Sequence, residues 1–184
     1  MRVSEIRRLA ISGGLVAAAF AVKYAVIGLP NVEPLTLAFF GVGYAYGAIW
    51  GAFVGSVGEG MFAAVNPMGA PIAPVWVAQI MGMALVGVIG GLTRRIDGGR
   101  RDLGRWRWAA IVGAGVVATI LFDLLTNLAM AWSIGPFWAV MLAAVPFSGI
   151  HIASNALLFA LIFPILRRWL TRYTSSAAEP PHRA

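Results

Sequence analysis

The chain has 184 residues, 60% hydrophobic and 11% charged, with a mean hydropathy of +0.82 and a formal net charge of +7. A soluble domain of this size cannot bury so much apolar surface, so composition points to an integral membrane protein forming one compact bundle. The lack of cysteine excludes a disulfide framework, a thiolate metal site and a thiol nucleophile. The basic excess flanks apolar spans, so topology explains it better than nucleic acid does.

The leader MRVSEIRR is short and basic. The apolar run that follows from Leu9 is long and has no clear cleavage site, so no cleavable signal is expected. The pattern predicts a first helix from Leu9 to Gly28, ending at Pro30. In the turn Leu29-Pro-Asn-Val-Glu-Pro34, two prolines bracket Asn31 and Glu33 and prevent regular helix. Short spans follow from about Leu35 to Tyr46 and from about Gly47 to Val65, with a glycine-rich boundary between them. Asn66-Pro-Met-Gly-Ala-Pro71 is a turn by composition.

A fourth helix is predicted from about Ala73 to Leu92, then the polar connection TRRIDGGRRDLGRWR, then a fifth helix from about Trp108 to Trp132. Beyond the linker Ser133–Pro136, the segment FWAVMLAAV is too short to span alone and reads as an interfacial or re-entrant piece. Pro146 suits the first turn of a sixth helix reaching about Leu170. Residues 1–172 thus read as one all-α bundle of six transmembrane helices, and 173–184 as a disordered cytoplasmic tail.

Of the 14 Lys and Arg residues, all but Lys23 fall in three places: the leader, the connection before the fifth helix, and the C-terminal end. In a six-helix plan these lie on one side. The positive-inside rule makes that side the cytoplasm, with both termini inside, as in the cell membrane of a prokaryote.

Within the run TILFDLLTNLAMAW, Asp123 and Asn127 stand one helical turn apart and share a face. A charge at membrane depth costs about 2.5–3.5 kcal/mol on insertion scales, so it faces protein or water. Helical rise puts Lys23 about 22 Å, Asp123 about 24 Å and Glu59 about 18 Å from the inner face. Gln79, His151 and Asn155 lie within about 8–14 Å of the outer ends of their helices. The buried polar groups therefore belong to the outer half, and the inner half is expected to be almost purely apolar. That distribution argues against a through-pore and for a cavity that captures a solute. Helix fastening alone would not confine polar residues to one leaflet.

The turn PNVEP, the FDLLTN segment and the final helix with HIASN resemble the substrate-binding (S) components of energy-coupling factor vitamin transporters. The resemblance spans roughly Arg7 to Arg172. It implies a receptor for a water-soluble vitamin or precursor, without an ATPase of its own, that docks on a transmembrane coupling subunit driven by two cytoplasmic ATPases. In that family a small-residue face on the first helix contacts the coupling subunit, and here Gly13, Ala17, Ala21 and Ala25 recur at four-residue spacing. Internal packing is the plainer reading of such a stripe. A second stripe, Gly43, Gly47, Gly51 and Gly55, is read as close backbone packing within the bundle.

The candidate site comprises Asp123, Asn127, Glu59, Gln79, His151 and Asn155, lidded by the Asn31–Glu33 turn and the Asn66–Pro71 loop. Trp76, Trp132 and Trp138 are placed to stack on a ring or cation, although tryptophans at this level also serve as interfacial anchors. Three carboxylates (Glu33, Glu59, Asp123) against one lysine and a neutral histidine favour a cationic or zwitterionic solute. No cofactor, metal or nucleic acid is expected. Asp123, His151 and Ser148 can be arranged on paper into a hydrolytic triad, but no GxSxG accompanies them. With two histidines and no HExxH a zinc site lacks ligands. The main rival is a six-helix structural scaffold of the cell-shape type, which would not need a ligand-filled cavity.

Overall fold

The computed structural model describes residues 3–29, 31–98 and 102–175. Among them the secondary structure is wholly helical, in seven elements: α1 (Val3–Ala25), α2 (Pro34–Tyr46), α3 (Ala48–Ala64), α4 (Ala73–Asp97), α5 (Arg105–Ile134), α6 (Phe137–Leu161) and α7 (Phe163–Ser175). α1, α4, α5 and α6 are long and apolar enough to cross a membrane, and α3 is apolar but shorter. Large apolar side chains stand fully outward along these helices, among them Ile49, Met61, Leu142 and Leu161. Exposure on that scale is foreign to soluble monomers and suits side chains that face lipid. This is the architecture of a multi-helix membrane protein.

α2 occupies the centre. Every residue from Pro34 to Tyr44 is buried, and the helix touches all six others. Apolar on every side, it has no stripe to present, which is what a helix enclosed by other helices requires. Its Phe40 ring meets Phe159 edge-on at 4.8 Å and Phe163 at 5.2 Å, while Tyr44 meets Phe163 at 5.3 Å. Such edge-to-face contacts add about 0.5–1.5 kcal/mol each beyond the area they bury.

The glycine stripe lets α2, α3 and α4 touch backbone to backbone. A Cβ on Gly43 would stand 1.9 Å from the Gly87 carbonyl oxygen, one on Gly55 2.2 Å from that of Met83, and one on Gly90 2.1 Å from that of Phe40. Only the absence of side chains permits this approach, as small residues do wherever lipid supplies no hydrophobic drive between helices. Gly47, at φ +96°, turns the chain between α2 and α3 in the left-handed region that glycine occupies without strain.

Several element boundaries differ from the sequence reading. α4 runs to Asp97 and α5 begins at Arg105, so the polar connection shrinks to a short loop whose residues 99–101 lie outside the described residues. Phe137–Val145 is no separate re-entrant piece: α6 is one helix that carries Pro146 in its interior. There Pro146 removes one hydrogen bond, to Leu142, whose side chain faces outward. The break falls instead at Ile162, before Pro164. That proline leaves the Ala160 carbonyl without its helical partner, and Trp108 Nε1 donates to it at 3.1 Å. The predicted sixth helix is therefore two, α6 and α7. α7 continues to Ser175, and residues 176–184 of the predicted tail lie outside the described residues.

The expectation of an almost purely apolar inner half is overturned. At the end of the bundle opposite the start of α4, Asp97 and Arg167 are both nearly inaccessible. Arg167 donates from Nη2 to Asp97 Oδ2 at 2.9 Å and from Nε to the Tyr44 hydroxyl at 2.9 Å, and Tyr44 donates to the same carboxylate oxygen. The Arg94 guanidinium covers the Tyr44 ring at 5.2 Å. The sequence reading placed Asp97 in a solvated connection and Arg167 among the topogenic charges. Longer helices carry both inside, where Asp97 Oδ2 takes the hydrogen bonds and Oδ1 is left without a partner.

Candidate binding site

A cavity of about 370 Å³ opens at the end of the bundle where α1, α3 and α5 arrive and α2, α4 and α6 depart. Helical spacing builds its walls. On α5, Phe122, Asp123, Thr126, Asn127 and Met130 fall on one face, as do Ala144, Phe147, Ser148 and His151 on α6. α3 contributes Glu59, Phe62 and Ala63, and α4 contributes Val75 and Gln79. Gly82, one turn below Gln79, lets α5 close in beneath, since a Cβ there would meet the Phe122 ring at 2.6 Å.

The turn between α1 and α2 forms part of the rim and is tied down on both sides. Lys23 pairs with Glu33 at 3.0 Å and donates to the Val32 carbonyl at 3.0 Å. Glu33 also caps α2 by accepting from the Leu35 N–H at 3.3 Å. Asn31 sits at φ +57°, a left-handed position that asparagine tolerates better than most residues. Its side chain donates to the Phe147 carbonyl at 2.7 Å, and its own carbonyl accepts from Ser154 Oγ at 2.8 Å. Lys23, the one lysine set against the three carboxylates, thus neutralises Glu33 at the rim.

Deeper in, His151 Nδ1 lies 2.6 Å from Asp123 Oδ1, with the imidazole edge-on to Phe122. Asn127 donates to Ser148 Oγ at 3.1 Å. The hydrolytic arrangement is not assembled, because His151 Nε2 bonds nothing and Ser148 is engaged by Asn127. Four buried polar atoms on cavity residues lack any hydrogen-bond partner: Glu59 Oε2, Gln79 Oε1, Asp123 Oδ2 and His151 Nε2. Each orphaned group costs about 1–3 kcal/mol, more when charged. Buried polar atoms without a partner also occur on Arg8, Thr36, Trp76, Asp97 and Asn155, but only the four at the cavity stand where an occupant can supply the partners.

Of the residues singled out from the sequence, Asn31, Glu33, Glu59, Gln79, Asp123, Asn127 and His151 line this one cavity, and Trp76 and Asn155 do not. Asn155 is fully buried one turn further along α6, where it donates to Thr119 Oγ at 3.0 Å and ties α6 to α5. Trp76 stands one turn from Gln79 on α4, yet it is not part of the cavity wall, and its indole Nε1 is buried without a hydrogen-bond partner. Trp132 and Trp138 stand outside the cavity, 86% and 75% exposed, as interfacial anchors do. Thr126 and Ser148 were missed as lining residues, although their spacing from Asp123 and His151 was the available signal.

Gly13, Ala17 and Ala21 are all exposed, and no atom lies within 4 Å of where a Cβ on Gly13 would stand. The stripe is not used for packing among the described residues. Comparison with family models, with curated proteins and with solved structures finds no match to this chain. The family resemblance rests on the PNVEP, FDLLTN and HIASN residues, with the expected six-helix plan and the basic connection before the fifth helix.

Proposed function

We propose that the chain is the membrane-embedded solute-binding subunit of an energy-coupling-factor-type importer and catalyses no reaction itself. It captures a water-soluble vitamin or precursor, cationic or zwitterionic, at the outer face of a prokaryotic cell membrane. A coupling subunit and two cytoplasmic ATPases then drive uptake. The observation that carries this reading is the cavity with four unpartnered polar atoms at one end of a bundle whose other end is closed by aromatic packing and the Asp97–Arg167 pair. A structural scaffold gains nothing from orphaned polar groups around an open space. Six spans account for the plan, α1 to α5 and then α6 with α7 continuing at the inner surface; the basic clusters then share the cytoplasmic side.

The docking reading has its own support. The exposed Gly13–Ala17–Ala21 face borders an apolar groove between α1 and α3, lined by Val16, Phe20, Phe53 and Val57. A helix of a coupling subunit can approach closely there.

The reading stands first on orientation, because a receptor's cavity must open outward. Single cysteines at Met68, beside the cavity mouth, and at Asp102, in the α4–α5 loop, are both exposed positions. In intact cells an impermeant maleimide should label Met68→Cys and spare Asp102→Cys. Labelling at Asp102→Cys alone would put the cavity on the cytoplasmic side and end the importer proposal.

A further inference from the structure

Resting on the receptor reading above, we infer that the solute presents a flat, nitrogen-rich cationic head, of the amidine kind, to Glu59, Gln79 and Asp123. The argument begins with how the cavity's hydrogen bonds are spent. Several of its donors are used within the chain: Lys23 on Glu33 and Val32, Asn31 on Phe147, Asn127 on Ser148, and Thr126 on the Phe122 carbonyl. The Gln79 and Asn66 amide nitrogens remain as donors, and three buried atoms without a partner are acceptors. Glu59 Oε2 and Asp123 Oδ2 are carboxylate oxygens and Gln79 Oε1 is an amide oxygen. His151 Nε2 is a fourth buried atom without a partner, donor or acceptor according to the tautomer.

Charge points the same way. Lys23 is committed to Glu33, and His151 faces Asp123. Glu59, only 4% exposed, has no basic side chain in contact among the described residues. A buried carboxylate without a counter-ion is relieved by a proton or by a cation, and the cavity beside it is the open route for a cationic solute.

Shape narrows the class further. The orphaned acceptors come from three helices, α3, α4 and α5. A planar amidine-type group offers several N–H donors in one plane. The Phe62, Phe122 and Phe147 side chains also line the cavity and supply apolar contact for a flat ring. At about 370 Å³ the space is at the small end for an organic ligand, and far larger than an ammonium ion needs.

Benzamidine, benzamide and benzoate share one ring and differ in charge, so they test the class directly. In calorimetric titration of the detergent-purified full chain, benzamidine should bind at millimolar concentration and benzoate should not, with benzamide weaker than benzamidine. Glu59→Gln should lower benzamidine affinity by roughly tenfold to a hundredfold, the loss of one charge-assisted hydrogen bond. Gln79→Met, which removes an acceptor but no charge, should weaken benzamidine less, and it supplies the reading if Glu59→Gln does not fold. Binding of benzoate as tightly as benzamidine, no binding by any of the three, or benzamidine affinity untouched by either variant would overturn the inference. Failure here leaves the outward-facing receptor intact with another specificity. Conversely, a cytoplasmic cavity would defeat the importer reading without touching this charge selectivity.

Discussion

Replacing Asp97 with alanine should destabilise the bundle by about 3–5 kcal/mol, because it takes the carboxylate away from the buried Arg167 guanidinium. The two side chains are each 2% accessible, and Asp97 Oδ2 receives both Tyr44 and Arg167. With the carboxylate gone, Arg167 keeps only the Tyr44 hydroxyl among these partners. The double variant Asp97→Ala, Arg167→Met removes the stranded charge and should recover much of the loss, since buried ion pairs exchange for apolar residues at little net cost. Thermal and denaturant unfolding in detergent of the two single variants and the double variant measures this directly. A loss below about 1 kcal/mol for Asp97→Ala, the range of surface pairs, would mean that water reaches the pair. This pair joins α4 to α7, and Tyr44 adds α2, so the same variants report on the closure of the bundle end opposite the cavity.

Ala17→Trp should abolish solute uptake in cells carrying the complete importer while leaving solute binding by the isolated subunit unchanged. Ala17 is exposed and beside an apolar groove, so an indole there needs no repacking within the chain. What it does obstruct is the close approach of another helix to the Gly13–Ala17–Ala21 face. Uptake and binding measured side by side separate the outcomes. Equal loss of both would return the stripe to internal packing, and normal uptake would remove it from the partner interface.

What could be read from the sequence was what is local or compositional. The prolines and polar residues of PNVEP mark the turn on the cavity rim, and the four-residue spacing of Asp123 and Asn127 puts both on the cavity side of α5. Glycines at four-residue spacing signal backbone contact whichever helix answers them, and Gly87 and Gly91 of α4 do. The central position of α2 was not legible: an all-apolar helix looks the same whether lipid or protein surrounds it. Nor was Asp97–Arg167, whose members are far apart in sequence and sit among arginines that set topology. Pro146 and Pro164 show the limit of local rules. Pro146 rides inside α6, while the chain breaks ahead of Pro164, where Trp108 of another helix takes the freed carbonyl. Asn155 had the depth and polarity of a site residue, and only its partner, Thr119, reveals it as a fastener.

The central claim is that the Asp123–Glu59 cavity exists to hold a solute, and native mass spectrometry of gently purified protein tests it most directly. The wild-type chain should carry one small molecule per subunit. Asp123→Asn and Glu59→Gln, both nearly isosteric, should lose that molecule or hold it roughly tenfold to a hundredfold more weakly, with melting temperatures of the ligand-free proteins unchanged. A chain that carries nothing in any preparation would contradict the account. So would variants that keep full occupancy but melt earlier, because the two carboxylates would then fasten helices and hold no ligand.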